Sequence, residues 1–380
     1  MLRNFQLLFF NLIFVSSSFA QSDKIEFTPN LWSYWDNDGN KISKTPELFK
    51  NFNAIDLQNN EIALLENKKV ENFRIELDIA GAGMAGVGFR GNDFFNYEFV
   101  YFRITSGGTK AAIQYVPVWN GSTGWMLYAP SLYGGIANYY EDEWFHVAIE
   151  VANKNLKVFV NNSSTPNVEV KLLHNDLKKG NLFLKSEFSA CHFANVKLKE
   201  VPSLKDKSAE EATSNQNQYQ YLTNWQISEQ FTFNEPMAFW AYPRVEQELK
   251  GWQPARADKN GIVNLSKYFK HPQQTVAASI SLSAKDTVTK KLVFDYSYTM
   301  TVVLNSRIIF SGKEMDNFGV MTDGEQSIDL PLKQGENQLM FYITGDSDVY
   351  GNQKKYQGRV QAFNWGFVAR LNSYEGVKFK

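Results

Sequence analysis

Between residues 73 and 79 apolar and charged side chains alternate without a break. Phe73, Ile75, Leu77 and Ile79 fall on one side, and Arg74, Glu76 and Asp78 on the other. A period of two predicts a half-buried strand. The same pattern recurs at 144–151, at Leu156, Val158 and Val160, at 168–170, at 181–186 and at 192–198, with Asn161 and Asn162 forming a turn. Short strands at regular spacing, punctuated by Gly and Asn, predict a sandwich or barrel. No stretch of this half carries a long amphipathic helix.

The pattern lapses at 202–218, PSLKDKSAEEATSNQNQ, which has no aromatic residue and a single Leu. Such a segment buries too little surface to fold and reads as a linker, with a short surface helix around 205–212 as the alternative. Strands return at 224–228, 276–284 and 291–298, in a hairpin at 301–310 with Asn305-Ser306 at its turn, at 328–332 and 338–344 around the turn 333–337, and at 365–371. The expected fold class is all-β, with two β-sandwich (jelly-roll) domains at 21–201 and 219–380. No repeat relates the halves.

Residues 1–20 differ from the rest. Arg3 precedes an apolar run at 7–15 broken only by Asn11, and Ser18 and Ala20 offer small residues ahead of Gln21. This is the layout of a secretory signal peptide, and its core is too short to span a membrane. No other apolar run reaches spanning length. The expected location is secreted or periplasmic.

Composition narrows the function classes. The 380 residues suit two or three domains. Lys+Arg is 39 and Asp+Glu 40, so no basic excess favours nucleic acid in general. Hydrophobic residues at 43% exclude disorder for most of the chain. Thirty Phe, 18 Tyr and 9 Trp suit strand-rich domains. One Cys, Cys191, excludes an internal disulfide and reads as a small buried thiol.

Three segments together resemble concanavalin A-like domains of the laminin G and lectin/glucanase kind: NFRIELDIA at 72–80, GVGFRGNDFFNYEFVYFRI at 86–104 and EWFHVAIEVANKNLKVFVNN at 143–162. AIQYVPVWNGSTGWMLY at 112–128 resembles a loop–strand stretch of bacterial sugar-acting proteins. The resemblance implies a two-sheet jelly roll with one concave face. In the second half, TVVLNSRIIFSG at 301–312 and LPLKQGENQLMFYIT at 330–344 resemble galactose-binding-like jelly rolls, which are often appended to sugar-processing enzymes. Ser306 stands where that pattern has Gly, which leaves Asn305 to supply a left-handed turn residue.

Candidate chemistry follows. Glu76 and Asp78 point to one face, about 6–7 Å apart by strand rise. Jelly-roll glucanases of the laminarinase type add a third acid, but Ala80 and Gly81 occupy its places, so that catalytic set is incomplete. Either the two acids are ion-paired on an open face, or one works with a partner such as Glu98 as a glycoside hydrolase or lyase. Arg90, Arg103 and Gln114 lie on neighbouring strands and would form a polar cluster with Glu76 and Asp78 if they share their face.

The loop from Trp119 through Asn120 to Trp125, with Tyr115 and Tyr128 near it, holds two indoles around small polar residues. Either ring could stack on a sugar or fill the core. His146, His174, His192 and His271 lack metal-binding spacing, and His146 reads as structural. The segment 36–40 reads as a plain turn rather than a calcium loop. No cofactor is indicated; the laminin G resemblance leaves calcium open. Trp240, Tyr242, Trp252 and Arg256 form either a ligand loop or, preferentially, a surface that docks on the first domain. The leading function is non-catalytic carbohydrate binding, with a hydrolase or lyase next and a protein-binding adhesion module third.

Overall fold

The computed structural model describes residues 23–174, 176–203, 220–232, 242–270, 274–313, 321, 324–345, 355–356, 359–360 and 364–379. The expected leader, most of the expected linker, Trp240, His271 and the side chain of Tyr242 lie outside them.

The chain is nearly all β. Its N-terminal half stacks two antiparallel sheets. Sheet I runs in the order Val168–Lys171, Asn155–Val160, Phe145–Ala152, Phe73–Gly81, Cys191–Glu200, Phe52–Leu57, Glu47–Phe49. Sheet II runs Ser122–Thr123, Ile113–Trp119, Tyr97–Arg103, Met84–Gly91, Asn181–Glu187, Ile62–Leu65, Trp32–Trp35, Lys41–Ile42. Phe73, Ile75, Leu77 and Ile79 of sheet I and Val87, Phe89, Val100 and Phe102 of sheet II are fully buried between them. Each such side chain contributes roughly 1.5–3 kcal/mol by leaving water.

The two sheets differ on their outer faces. On sheet I the outward residues Arg74, Glu76 and Asp78 remain partly exposed. On sheet II nearly every residue is buried on both faces. Gly86 and Gly88 explain part of this. A Cβ on Gly86 would stand 2.2 Å from the Phe99 ring, and one on Gly88 2.2 Å from the Phe183 ring. The bare backbone lets aromatic rings lie flat across the outside of the sheet, and the segment after Trp119 folds over them.

The C-terminal half has its own core. One sheet runs Gln253–Arg256, Asn224–Ile227, Thr275–Ala284, Gly335–Thr344, Thr299–Leu304, Arg307–Lys313. The other runs Ile262–Asn264, Gly366–Leu371, Val288–Tyr296, Gln326–Leu332. Trp225, Phe294, Phe341 and Phe367 pack between them. The turn after Leu332 carries the chain from one sheet to the other. At the hairpin tip both Asn305 (φ 50) and Ser306 (φ 62) are left-handed, not Asn305 alone. Two left-handed residues match the twist of a two-residue hairpin. The helix Tyr242–Glu248 falls within the segment expected to form a ligand loop or a docking surface; Val245 and Leu249 cover Ala277, Val303, Met340 and Tyr342 on the sheet behind.

Several contacts among the described residues join the two halves, of which five show how they meet. Asn120 Nδ2 donates to Ser266 O (2.8 Å), Asn260 Nδ2 to the Tyr133 hydroxyl (2.6 Å), Asn264 Nδ2 to the Tyr128 hydroxyl (3.3 Å), and the Met126 amide to Asn364 Oδ1 (2.7 Å). Lys267 Nζ sits 4.5 Å from the Trp119 ring centroid. Docking therefore runs mainly through residues 258–267, and Trp252, expected at the join, is exposed.

Candidate functional site

The residues singled out from the sequence separate into three places. Glu76 and Asp78 lie on the outside of sheet I, while Arg103 and Gln114 lie on the outside of sheet II. The shared polar face expected for them does not form, because the two strands belong to different sheets of the sandwich. Glu76 accepts from Arg74 Nε at 2.7 Å; Asp78 is held by His146 Nδ1 (2.7 Å) and Asn195 Nδ2 (2.6 Å). Burial would raise both carboxyls, but these hydrogen bonds and nearby cations hold both below their ordinary values. Each stays ionised at neutral pH, a poor state for a general acid.

The second place is the outer face of sheet II. Tyr97–Arg103 and Ile113–Trp119 pair so that Tyr101 faces Gln114. The Tyr101 hydroxyl donates to Gln114 Oε1 (2.7 Å) and accepts from Arg103 Nη2 (3.0 Å). Gln114 Nε2 donates to the carbonyls of Trp125 (2.9 Å) and Tyr128 (2.6 Å), which fixes the covering loop. The Arg103 guanidinium lies 5.4 Å from the Trp125 ring centroid and 5.0 Å from that of Tyr101. A pocket of about 70 Å³ opens here, lined by Met84, Tyr101, Arg103, Thr123, Trp125, Glu187 and Phe188. Trp125 is half-buried and Phe188 is 58% exposed. A buried ion pair, Lys185–Glu187, sits on the same face.

The third place is the interior and its seam with the C-terminal half. Glu98 projects into the core of the first sandwich, where Oε2 accepts from the Tyr115 hydroxyl (2.6 Å) and Oε1 from the His174 amide (3.1 Å). Burial pushes the Glu98 carboxyl up to about 7, against the pull of these donors and of Arg90. Trp119 is buried and stacks on His174, whose imidazole burial lowers to about 4. Arg90, left-handed at φ 53, donates from Nε and Nη2 to Glu71 O and from Nη2 to Asn153 O. Asn120 is spent on the contact with Ser266.

Arg103, Gln114 and Trp125 are thus brought together, while Arg90, Tyr115, Trp119 and Asn120 are structural or lie at the seam. Sequence reasoning missed Lys185, Glu187 and Phe188. Two opposite charges two apart, directly after the apolar run at 182–184, were the available signal. Asp36 accepts from the amides of Asp38 and Asn40, as the plain-turn reading expects. Among the described residues no group of three or more His, Cys, Asp or Glu side chains is placed to hold a metal ion.

Similarities to solved structures cover just under half of the chain. A carbohydrate binding module, CBM66, from Bacillus subtilis is 13% identical, covering 45% of this chain and 98% of its own, with a TM-score of 0.35. A protein with a galectin-like fold from Bacillus subtilis is 8% identical over 46% of this chain and 90% of its own, with a TM-score of 0.32. The exoplasmic/lumenal domain of VIP36, in a form bound to Ca2+ and mannose, is 14% identical over 46% of this chain and 85% of its own, with a TM-score of 0.32. No curated protein matches the chain significantly. Residues 30–199, the body of the N-terminal sandwich, match the model of a family described as the 3-keto-alpha-glucoside-1,2-lyase-like domain.

Proposed function

We propose that the protein is an exported carbohydrate-binding protein that handles glycans at the cell envelope through the outer face of sheet II. One observation carries the reading: a half-buried indole, Trp125, is held against the Arg103 guanidinium at the mouth of a mainly apolar pocket edged by a few polar side chains. Sugar rings present apolar C–H faces that suit an indole, and hydroxyls that suit a guanidinium fork and a carboxylate. Glu187, Thr123 and the Tyr101 hydroxyl supply the polar partners within the same lining. The pocket admits one edge of a ring; Phe188 and Trp125 extend it along the surface. The family matched by residues 30–199 acts on a glucoside by its description, which supports a sugar ligand.

A glycan array probed with the full chain tests this. Trp125→Ala and Arg103→Ala should each lower binding at least tenfold while leaving the thermal transition cooperative. Undiminished binding by both variants moves the site elsewhere, and an empty array from folded protein turns the reading towards a protein partner.

A second reading, cleavage of a 3-keto-α-glucoside, draws on the family description alone, because Glu98 is fully buried with both carboxylate oxygens hydrogen-bonded inside the core. Incubating the chain with a 3-keto-disaccharide and resolving the products tests it. Turnover by the full chain supports it, and no turnover removes it.

A further inference from the structure

The seam between the two halves holds a cleft of about 950 Å³, within the range of small-molecule sites. One wall comes from the first sandwich, including Glu71, Arg90 and residues 153–155 and 171–174; the other comes from residues 256–259, 267 and 268. Among the described residues, seven of the seventeen that line it are Lys or Arg and two are acidic, in a chain whose totals are 39 and 40. The positive charge is therefore concentrated here rather than spread evenly, and a cleft with low-dielectric walls focuses its field.

The wall also carries polar atoms that want a partner. His174 is 5% exposed, lines the cleft, and neither ring nitrogen has a hydrogen-bond partner among the described residues. Its ring is fixed by stacking on Trp119, which itself lies under Lys267. Asp258 Oδ1 accepts from the amides of Asn260 and Ile262, while Oδ2 is buried and unpartnered among the described residues. Leaving such groups unsatisfied is costly, and a ligand that satisfies them recovers that cost.

We propose that this cleft is a second ligand site, distinct from the outer-face pocket and independent of it, which takes an acidic oligosaccharide. The cations call for carboxylate or sulfate groups. A carboxylate oxygen such as Asp258 Oδ2 calls for a donor, and a neutral imidazole can use both a donor and an acceptor. A saccharide bearing acid groups beside free hydroxyls supplies all of these on one molecule. A bare oxyanion supplies no hydroxyl donors and fills little of the volume. Single-stranded nucleic acid is favoured by successive exposed aromatic platforms; among the described residues Tyr268 is the one Phe, Tyr or Trp in the lining.

Titration calorimetry on the full chain tests this, in a Trp125→Ala background that silences the outer-face pocket. The probes are tetragalacturonate, a heparin-derived tetrasaccharide, maltotetraose and a twelve-residue oligothymidylate. We expect at least one acidic tetrasaccharide to bind, at least tenfold tighter than maltotetraose and than oligothymidylate. Its affinity should fall several-fold as NaCl is raised from 50 to 300 mM. Lys178→Gln with Arg256→Gln, both at exposed positions, should weaken it at least tenfold. The proposal is overturned by no acidic saccharide binding, by maltotetraose binding equally, by oligothymidylate binding equally, or by an unchanged affinity in the double variant. Tetragalacturonate and the sulfated probe separate carboxylate from sulfate as the preferred group. Loss of array binding in Trp125→Ala with retained calorimetric binding would separate the two sites.

Discussion

Trp119 stacks on His174 with ring centroids 4.8 Å apart and planes inclined by 28°. An indole with the sequence features of a surface ligand platform is instead a packing element at the seam. Trp119→Ala should cost about 3–5 kcal/mol of stability by leaving a cavity. Trp125→Ala should cost clearly less, because its ring is half-buried. Urea unfolding followed by far-ultraviolet dichroism compares the two, and equal losses would contradict this placement.

Glu98 and His174 oppose each other in acid. Glu98 rises from 4.5 to about 7, so between those values the native state holds a proton that the unfolded chain releases. Its contribution is full below pH 4.5 and is lost as pH climbs through about 7. His174 falls from 6.5 to about 4, so its contribution is present above pH 6.5 and is lost as pH drops towards 4. Glu98→Gln removes the first effect and keeps the second. The melting temperature of the variant relative to the parent should therefore rise steadily from pH 4.5 to 7.5, by up to about 3 kcal/mol in stability terms. A constant difference across that range would show that Glu98 does not bind a proton preferentially in the native state.

Lys185 and Glu187 form an ion pair with side chains 4% and 6% exposed. Removing one partner strands a buried charge. Glu187→Gln should destabilise by about 3–5 kcal/mol, while Lys185→Met combined with Glu187→Leu should come within about 1–2 kcal/mol of the parent. Chemical denaturation of the three proteins measures this, and a double variant no better than the single one would refute it.

Phe188 is left-handed at φ 69 and 58% exposed at the rim of the outer-face pocket. A bulky residue in that conformation costs about 1–2 kcal/mol. Phe188→Gly should relieve much of the strain and raise stability by about 1 kcal/mol, while weakening glycan binding. Calorimetric melting paired with array binding reads both effects. A variant that binds as well as the parent would take Phe188 out of the site.

The local rules of this fold are written in the chain. Alternation from Phe73 to Ile79 fixes the inward face of a strand, and Asn305-Ser306 fixes a hairpin, because a period of two and a left-handed turn depend only on near neighbours. The composition also carries an all-β body, and Gln114 and Arg103 were recognisable as polar residues on adjacent strands. Tertiary structure alone decided which sheet each polar face belongs to. Glu76 and Arg103 have similar local surroundings, yet they lie on different sheets, since strand order depends on pairings between residues far apart in sequence. Likewise, near-neutral totals conceal a cleft in which residues separated by more than a hundred positions, such as Arg90 and Arg256, gather positive charge. Neither periodicity nor composition encodes that proximity; it arises only when the two sandwiches dock.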